Sequence, residues 1–306
     1  MKPTYVGLFS SDPSSARVSG LEASFQRLGV DVLRIIPWMV STRIDGERQQ
    51  LIQDDRDLSL LDAVLVVDLG GIDIGTFFNR VAILTSLQDS GVSVINSVAS
   101  ILQMRNKAEC MRRLVAAHVT TPETLITESI DEAAEFVRNH FPCVLKPITG
   151  FGGIGVQLIE RDFDLKHIGD YLKFHSQLFG KGAYLLQDYI HGAGFDIRAL
   201  VLDDEVIGSM QRVSTGGFVT NIHSGGIPRK NDIDVEEIAV RSARAVRGRL
   251  VGVDIIPDAD GRLFVLEVNA TPGWAGLQRV LDFNLPDRIA EVITESLKQS
   301  RPRARL

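Results

Sequence analysis

The sequence predicts an α/β fold that gives way to α+β in its C-terminal part. Three observations carry this. Short apolar strand patterns alternate with helical ones over residues 1–96. A glycine-rich stretch in the middle lies between two strands. From Tyr184 onward, closely spaced strands with tight turns dominate. At roughly 150 residues per domain, the 306 residues predict two domains or three small ones, and the pattern divides them as 1–96, 97–182 and 183–306.

In order, Thr4–Phe9 reads as a strand, and Leu21, Phe25 and Leu28 share one face of a helix that Gly29 ends. Asp31–Ile36 and Ala63–Val67 are strands, Thr76–Ser90 a helix, and Val92–Ile95 a strand, which is the rhythm of a parallel sheet covered by helices. The middle opens with one helix over Ser100–Ala117, broken by Thr121-Pro122. Ser129-Ile-Asp-Glu132 has the capping-box pattern and starts a short helix. Strands Cys143–Lys146 and Val156–Ile159 flank the glycines. Tyr184–Asp188, Asp196–Leu202 and Glu205–Gln211 read as antiparallel strands, Val235–Arg249 as a helix, Gly252–Pro257 and Leu263–Val268 as a hairpin, and Leu285–Gln299 as a last helix.

Composition removes several function classes. With 44% hydrophobic and 24% charged residues the chain is neither disordered nor collagen-like. No apolar run approaches the ~18 residues of a membrane span. Met1-Lys2-Pro3 leads straight into a strand, so no cleaved signal peptide is expected. A net charge of −6 argues against nucleic-acid binding. The two cysteines, Cys110 and Cys143, lack metal-type spacing and read as packing residues, which points to the cytoplasm. A homo-oligomer is expected.

The most informative stretch is Gly252-Val-Asp254 … Asp260-Gly261 … Leu266-Glu267-Val-Asn269. Asp-Gly between apolar runs predicts a two-residue hairpin turn that sets Ala259 opposite Arg262 and Asp254 opposite Glu267, with Asn269 on the same face. Two carboxylates so placed repel by about 4 kcal/mol at ~4 Å and an effective dielectric near 20. A divalent cation would offset this, and two carboxylates with an amide oxygen are hard ligands suited to Mg²⁺. The alternative is that one carboxylate meets solvent or an arginine.

Lys146-Pro-Ile-Thr-Gly150-Phe-Gly152-Gly153-Ile-Gly155 joins two strands. Glycines let backbone N–H groups converge on an anion, and Lys146 offers a point charge. This is neither the P-loop nor the dinucleotide fingerprint, since both need a helix directly after the loop. It reads as a flap over phosphates or, equally, as a hairpin without a ligand. Asp196 and Arg198 share a strand face and could form a surface ion pair. Arg212 follows the next strand. Asn221-Ile-His223 lies in a polar, glycine-rich loop.

Together Lys146 with the flap, Asp188-Tyr189, Asp196-Ile-Arg198, Asn221-Ile-His223, Asp254 and Glu267-Val-Asn269-Ala-Thr-Pro-Gly273 resemble the ATP-grasp superfamily, and within it the RimK-like carboxylate–amine ligases. The resemblance covers about residues 90 to 295. It implies an ATP-grasp fold with a pre-grasp α/β domain, a small central flap domain and a C-terminal antiparallel-sheet domain. It places Lys107, Lys146, Gly152 and Gly153 at the ATP phosphates, and Asp188, Tyr189 and Ile190 at the adenine. Asp196 falls at the ribose, Asn221 near the γ-phosphate, and Asp254, Glu267 and Asn269 at two Mg²⁺ or Mn²⁺ ions. Arg198 and Arg212 would stabilise the oxyanion during acyl transfer. The implied reaction joins a substrate carboxylate to an amino-acid amine, commonly that of L-glutamate, through an acyl phosphate. Val219 and Ser224 stand where some RimK-like ligases carry arginine. That moves the expectation from ribosomal-protein modification toward pterin- or deazaflavin-type coenzymes. Peptide or protein glutamylation and a non-catalytic ATP-binding module are the alternatives. An oxidoreductase is disfavoured because no G-x-G-x-x-G follows the first strand.

Overall fold

In the computed structural model the described residues are 4–70, 73–150, 152–160, 163–180, 182–192, 194–214 and 226–300. They divide into two compact units: residues 1–101 with 271–306, and residues 102–270.

The first unit contains β1 (Tyr5–Phe9), α1 (Ala16–Arg27), β2 (Asp31–Ile35), β3 (Ser41–Asp45), β4 (Arg48–Gln53), β5 (Arg56–Asp57), β6 (Ala63–Val66), α2 (Ile74–Asp89) and β7 (Ser93–Ile95). Helix α3 (Val98–Arg105) contains the division. Strands β2-β1-β6-β7 form a parallel sheet in that order. Its strands are nearly continuous apolar runs because helices cover both faces of such sheets. Ser15 caps α1 by accepting from Val18 N–H at 3.4 Å. Strands β3-β4-β5 form a separate antiparallel meander, in a region that lacks the apolar alternation expected of strands.

The second unit contains α4 (Lys107–Ala116), β8 (Thr124–Thr127), α5 (Ile130–Asn139), β9 (Cys143–Lys146), β10 (Gln157–Ile159), α6 (Ile168–His175), β11 (Tyr184–Asp188), β12 (Phe195–Leu202), β13 (Glu205–Val213), β14 (Ile227–Lys230), α7 (Glu236–Ala245), β15 (Leu250–Pro257) and β16 (Leu263–Asn269). The chain then closes on the first unit with α8 (Ala275–Gln278) and α9 (Leu285–Ser300), the latter packed on α1. Two antiparallel sheets, β10-β9-β11-β8 and β14-β13-β12-β15-β16, organise the second unit. Phe136 and Val137 of α5, Leu145 of β9, Leu172 of α6 and Leu186 of β11 share one core. The Ser129 hydroxyl accepts from Glu132 N–H at 3.3 Å. The Glu132 carboxylate, however, takes the Thr127 hydroxyl at 2.9 Å, so the capping box is replaced by a longer loop bridge.

Two sequence expectations change. The helix over Ser100–Ala117 is two helices, because Asn106 leaves the helical region (φ −94°, ψ 100°) and its side chain caps α4. The 252–268 hairpin closes through a three-residue loop, Ala259-Asp260-Gly261, with Asp258 N–H bonded to Arg262 C=O and Gly261 at φ +81°. That loop alone would shift every pair by one. A bulge at Leu266 takes up the extra residue, so Asp254 still faces Glu267 while Ile255 faces Val265.

Candidate active site

A cleft of about 910 Å³, its open mouth included, lies within the second unit. The break at Asn106 puts Lys107 in the first turn of α4, and Lys107 N–H donates to Ile148 C=O at 3.0 Å, tying that helix end to the loop after β9. Lys146 ends β9 and enters the cleft on the same strand face as Val144. Gly152 and Gly153, both at positive φ (65° and 80°), line the same cleft.

The far wall is the β12-β13-β15-β16 sheet. Asp196 sits opposite Arg212, and Arg198 opposite Asp254. Arg212 lies within its strand rather than after it, and grips Asp196 through Nε and Nη2, the Nε bond being 2.7 Å. Its Nη2 is also 3.2 Å from Asp254. Arg198 grips Asp254 through Nε and through Nη2 at 3.1 Å. These side chains are almost wholly buried. Each guanidinium therefore has its carboxylate in two-point contact, the geometry that makes arginine suited to buried pairing. Burial opposes the Arg212 charge, but Asp254 and Asp196 more than compensate and hold its pKa above the ordinary arginine value.

Glu267 is bonded by Lys107 at 2.5 Å, and Asn269 Nδ2 is 3.1 Å from Glu267 and 3.5 Å from Asp254. Burial pushes the Glu267 carboxyl up, but the Lys107 ammonium, with Lys146 and Asn269, outweighs it and keeps the group well below the usual carboxylate range. The repulsion inferred from sequence is thus offset, in the protein alone, by Arg198 and Arg212 at Asp254 and by Lys107 at Glu267. An arginine at one carboxylate is the alternative to a metal that the sequence leaves open, and Asp254 has two.

Lys146 differs from these cations. Its ammonium donates to an amide oxygen, Gln187 Oε1. Burial pushes its pKa down to about 8; Glu267 pulls it up and Lys107 pushes it further down. Gln187 is buried and gives its Nε2 to Thr124 Oγ1 at 3.0 Å.

Asp188, Tyr189 and Ile190 line the cleft where β11 ends. The Asp188 carboxylate is 2.8 Å from His140 Nδ1, and its N–H donates to Glu123 C=O at 2.9 Å. Asn221 and His223, with Val219 and Ser224, lie outside the described residues. Gln187, which opens the strand end Gln187-Asp188-Tyr189-Ile190, also lines the cleft, as do Val144, Ile256 and Leu266, to which the sequence assigns no role. Ile256 and Val144 were legible in principle, each two residues from a chosen side chain on its strand. Leu266 was not, since strict alternation turns it away from Glu267 and the bulge turns it back.

The donor set fits a hard divalent cation: two carboxylates on facing strands and an amide that carries an oxygen as well as the nitrogen now directed at them. Four cations, Lys107, Lys146, Arg198 and Arg212, stand with three carboxylates, Asp196, Asp254 and Glu267, in a chain whose net charge is −6. Beside them run the apolar surfaces of Val144, Ile256 and Leu266. A polyanion at one end and a flat apolar group at the other match this arrangement.

A model of the RimK-like ATP-grasp domain matches residues 104–293. The chain is 34% identical over 213 residues to a tetrahydromethanopterin:alpha-L-glutamate ligase of Methanocaldococcus jannaschii, covering 68% of this chain and 72% of that protein. It is 28% identical over 299 residues to a probable alpha-L-glutamate ligase of Trichodesmium erythraeum, covering 95% and 96%. The solved structure of the ATP-grasp ligase PsnB with its minimal precursor superposes with a TM-score of 0.75 at 19% identity, over 96% of this chain and 99% of that one, a likeness of fold. The chain belongs to the RimK-like ATP-grasp family of ligases.

Proposed function

We propose that this ligase uses ATP to join a substrate carboxylate to the amine of an amino acid, L-glutamate first among them. The observation that carries the reading is the cleft itself, where convergent lysines, a glycine-rich flap and an acid–amide cluster surround one space. The glutamate ligases among the relatives support the choice of amine.

In this reading Lys107 and Lys146 hold the phosphates, with N–H groups of Gly152 and Gly153 beside them. Val144, Ile256 and Leu266 clasp the purine at the end of β11, where Asp188, Tyr189 and Ile190 offer main-chain polar groups. Asp196 serves at the ribose, or holds Arg212, its partner on the neighbouring strand. Asp254, Glu267 and Asn269 would hold Mg²⁺ or Mn²⁺, two ions per site, whose charge would neutralise that on the transferred phosphoryl group. Lys107, bonded to one oxygen of Glu267, would also be within the same cleft as the phosphates. The substrate carboxylate attacks the γ-phosphorus, giving an acyl phosphate and ADP. The amine then attacks the acyl carbon and expels phosphate. Arg212, fixed by two carboxylates, and Arg198 stabilise the oxyanion that forms. The chain needs no side-chain nucleophile. Cys110 and Cys143 are unbridged and buried, and burial raises their thiols to about 11 and about 12, so neither is a thiolate near neutrality. Free buried thiols suit a cytoplasmic protein, and among the described residues no helix is long and apolar enough to cross a membrane.

The substrate is sought among carboxylated pterin- and deazaflavin-type coenzymes, with peptides as the second class. ADP release should appear when one such acid, L-glutamate and Mg²⁺·ATP are supplied together. ATP binding with no ADP release for any acid–amine pair would refute the ligase reading in favour of a binding module.

A further inference from the structure

Strand β3 is an open sheet edge. Among the described residues it pairs with β4 on one side and with no strand on the other. All five of its residues are exposed, and Ile44 near its end is 75% exposed. Such an edge templates pairing with another chain, and proteins commonly blunt it with proline, lysine or a covering segment. Here the charges are instead set symmetrically about an apolar centre, as Arg43-Ile44-Asp45.

That order is its own complement when the strand is reversed. Asp45 and Arg48 close the two-residue turn Gly46-Glu47. By the alternation of antiparallel ladders, the N–H and C=O of Ile44 and Thr42 are then directed away from β4. Outward residues must pair with outward residues, which leaves four registers with the two-fold axis on residues 42 to 45 for two antiparallel copies; an axis at Thr42 sets Arg43 against Ser41 and Asp45 against Met39 and forms no ion pair. A two-fold axis at Arg43 opposes two arginines. An axis at Asp45 opposes two aspartates. An axis at Ile44 opposes Arg43 and Asp45 twice and brings the two isoleucines together. Like charges directly opposite destabilise a strand pair, and opposite charges stabilise it.

We propose that β3 is a self-association edge: two copies of this chain join antiparallel through it, with Ile44 on the two-fold axis and Arg43 of each copy paired with Asp45 of the other. Trp38 and Met39, 62% and 41% exposed just before β3, add apolar surface on the same segment. The partner is a second copy because the register about Ile44 sets Arg43 against Asp45 twice, whereas those about Arg43 and Asp45 oppose like charges at the axis and the one about Thr42 forms no ion pair. The contact lies in the first unit and does not depend on the chemistry proposed for the cleft.

Sedimentation velocity over a concentration series tests this. The unmodified protein should show a concentration-dependent dimer. Arg43→Asp, and separately Asp45→Arg, should weaken it roughly tenfold by replacing two attractive pairs with two repulsive ones. The double variant Arg43→Asp/Asp45→Arg exchanges the charges and should restore association. Ile44→Cys fixes the register. Directly opposed residues lie about 5.5 Å apart at Cα, within disulfide reach, and both native cysteines are buried. Mild oxidation should therefore yield a covalent dimer, and Thr42→Cys should not. A monomer at every concentration, a dimer indifferent to the charge reversals, or cross-linking by Thr42→Cys in place of Ile44→Cys would each overturn the proposal.

Discussion

The two walls of the cleft handle charge in opposite ways. On the β12-β13-β15 wall each buried arginine is locked to carboxylates through two nitrogens. On the flap side Lys146 leans on the amide of Gln187. A cation with a buried carboxylate partner is held in place, and removing either partner strands the other. A cation bonded to a neutral amide, with Glu267 acting on it only through space, remains ready for an anion. The locked wall thus sets geometry, and the unlocked lysine supplies affinity. Lys107 stands between these cases, since its carboxylate partner, Glu267, is itself a candidate metal ligand.

The largest effect should come from breaking the locked wall. Arg212→Leu leaves Asp196 and Asp254 without their shared cation, so unfolding free energy in a urea titration should fall by about 3–5 kcal/mol and turnover should be lost. A fall below ~1 kcal/mol would mean that the pair is not structural. Glu267→Gln should abolish ADP release while the protein stays folded, with a lower melting temperature because Lys107 loses its counter-charge. A folded variant that still turns over would remove Glu267 from the metal site.

Lys146→Met sharpens the comparison because its two effects have opposite signs. ATP affinity, read by calorimetry, should fall at least tenfold. Stability without ligand should rise by on the order of 1 kcal/mol, because the buried ammonium carries a desolvation cost. The pH dependence follows from the lowered pKa. Between about 8 and the free-lysine value of 10.5 the unfolded chain binds more protons at this position than the folded one. The contribution of Lys146 to stability therefore becomes more favourable as pH rises through that window, while ATP affinity weakens above about 8 as the charge is lost. In Lys146→Met both trends should vanish. The smallest effects belong to the flap. At Gly155 (φ +75°) an added Cβ would lie 2.8 Å from Phe179 Cγ and 2.9 Å from Pro147 Cγ, whereas at Gly152 (φ +65°) it meets nothing within 4 Å. Gly155→Ala should raise KM for ATP several-fold and Gly152→Ala less. The reverse order would place the tight point of the flap elsewhere.

Much of this was legible in the residues. The parallel sheet declared itself through apolar strands spaced by helices, and the acid–amide cluster through Asp254, Glu267 and Asn269. The facing of Asp254 and Glu267 was anticipated through a turn that does not exist. The loop is one residue longer, and the bulge at Leu266 cancels the difference. Pairing between neighbouring strands of this sheet was not legible: which carboxylate Arg198 or Arg212 would choose depends on registers among three strands. The meander β3-β4-β5 escaped notice because β3 is exposed throughout and β4 buries only its second half, Leu51 and the polar Gln53, which leaves no apolar alternation to read. The break at Asn106 was hidden inside a continuous helical pattern, although asparagine before a lysine and an acidic first turn is a helix start.

The single added residue at Leu266 gives neighbouring positions on one strand a shared outlook, one greasy and one anionic. A nucleotide is itself built that way, with a ring at one end and a charged tail at the other. Deleting that residue would leave the chain able to meet either end of such a molecule from this strand, but not both at once.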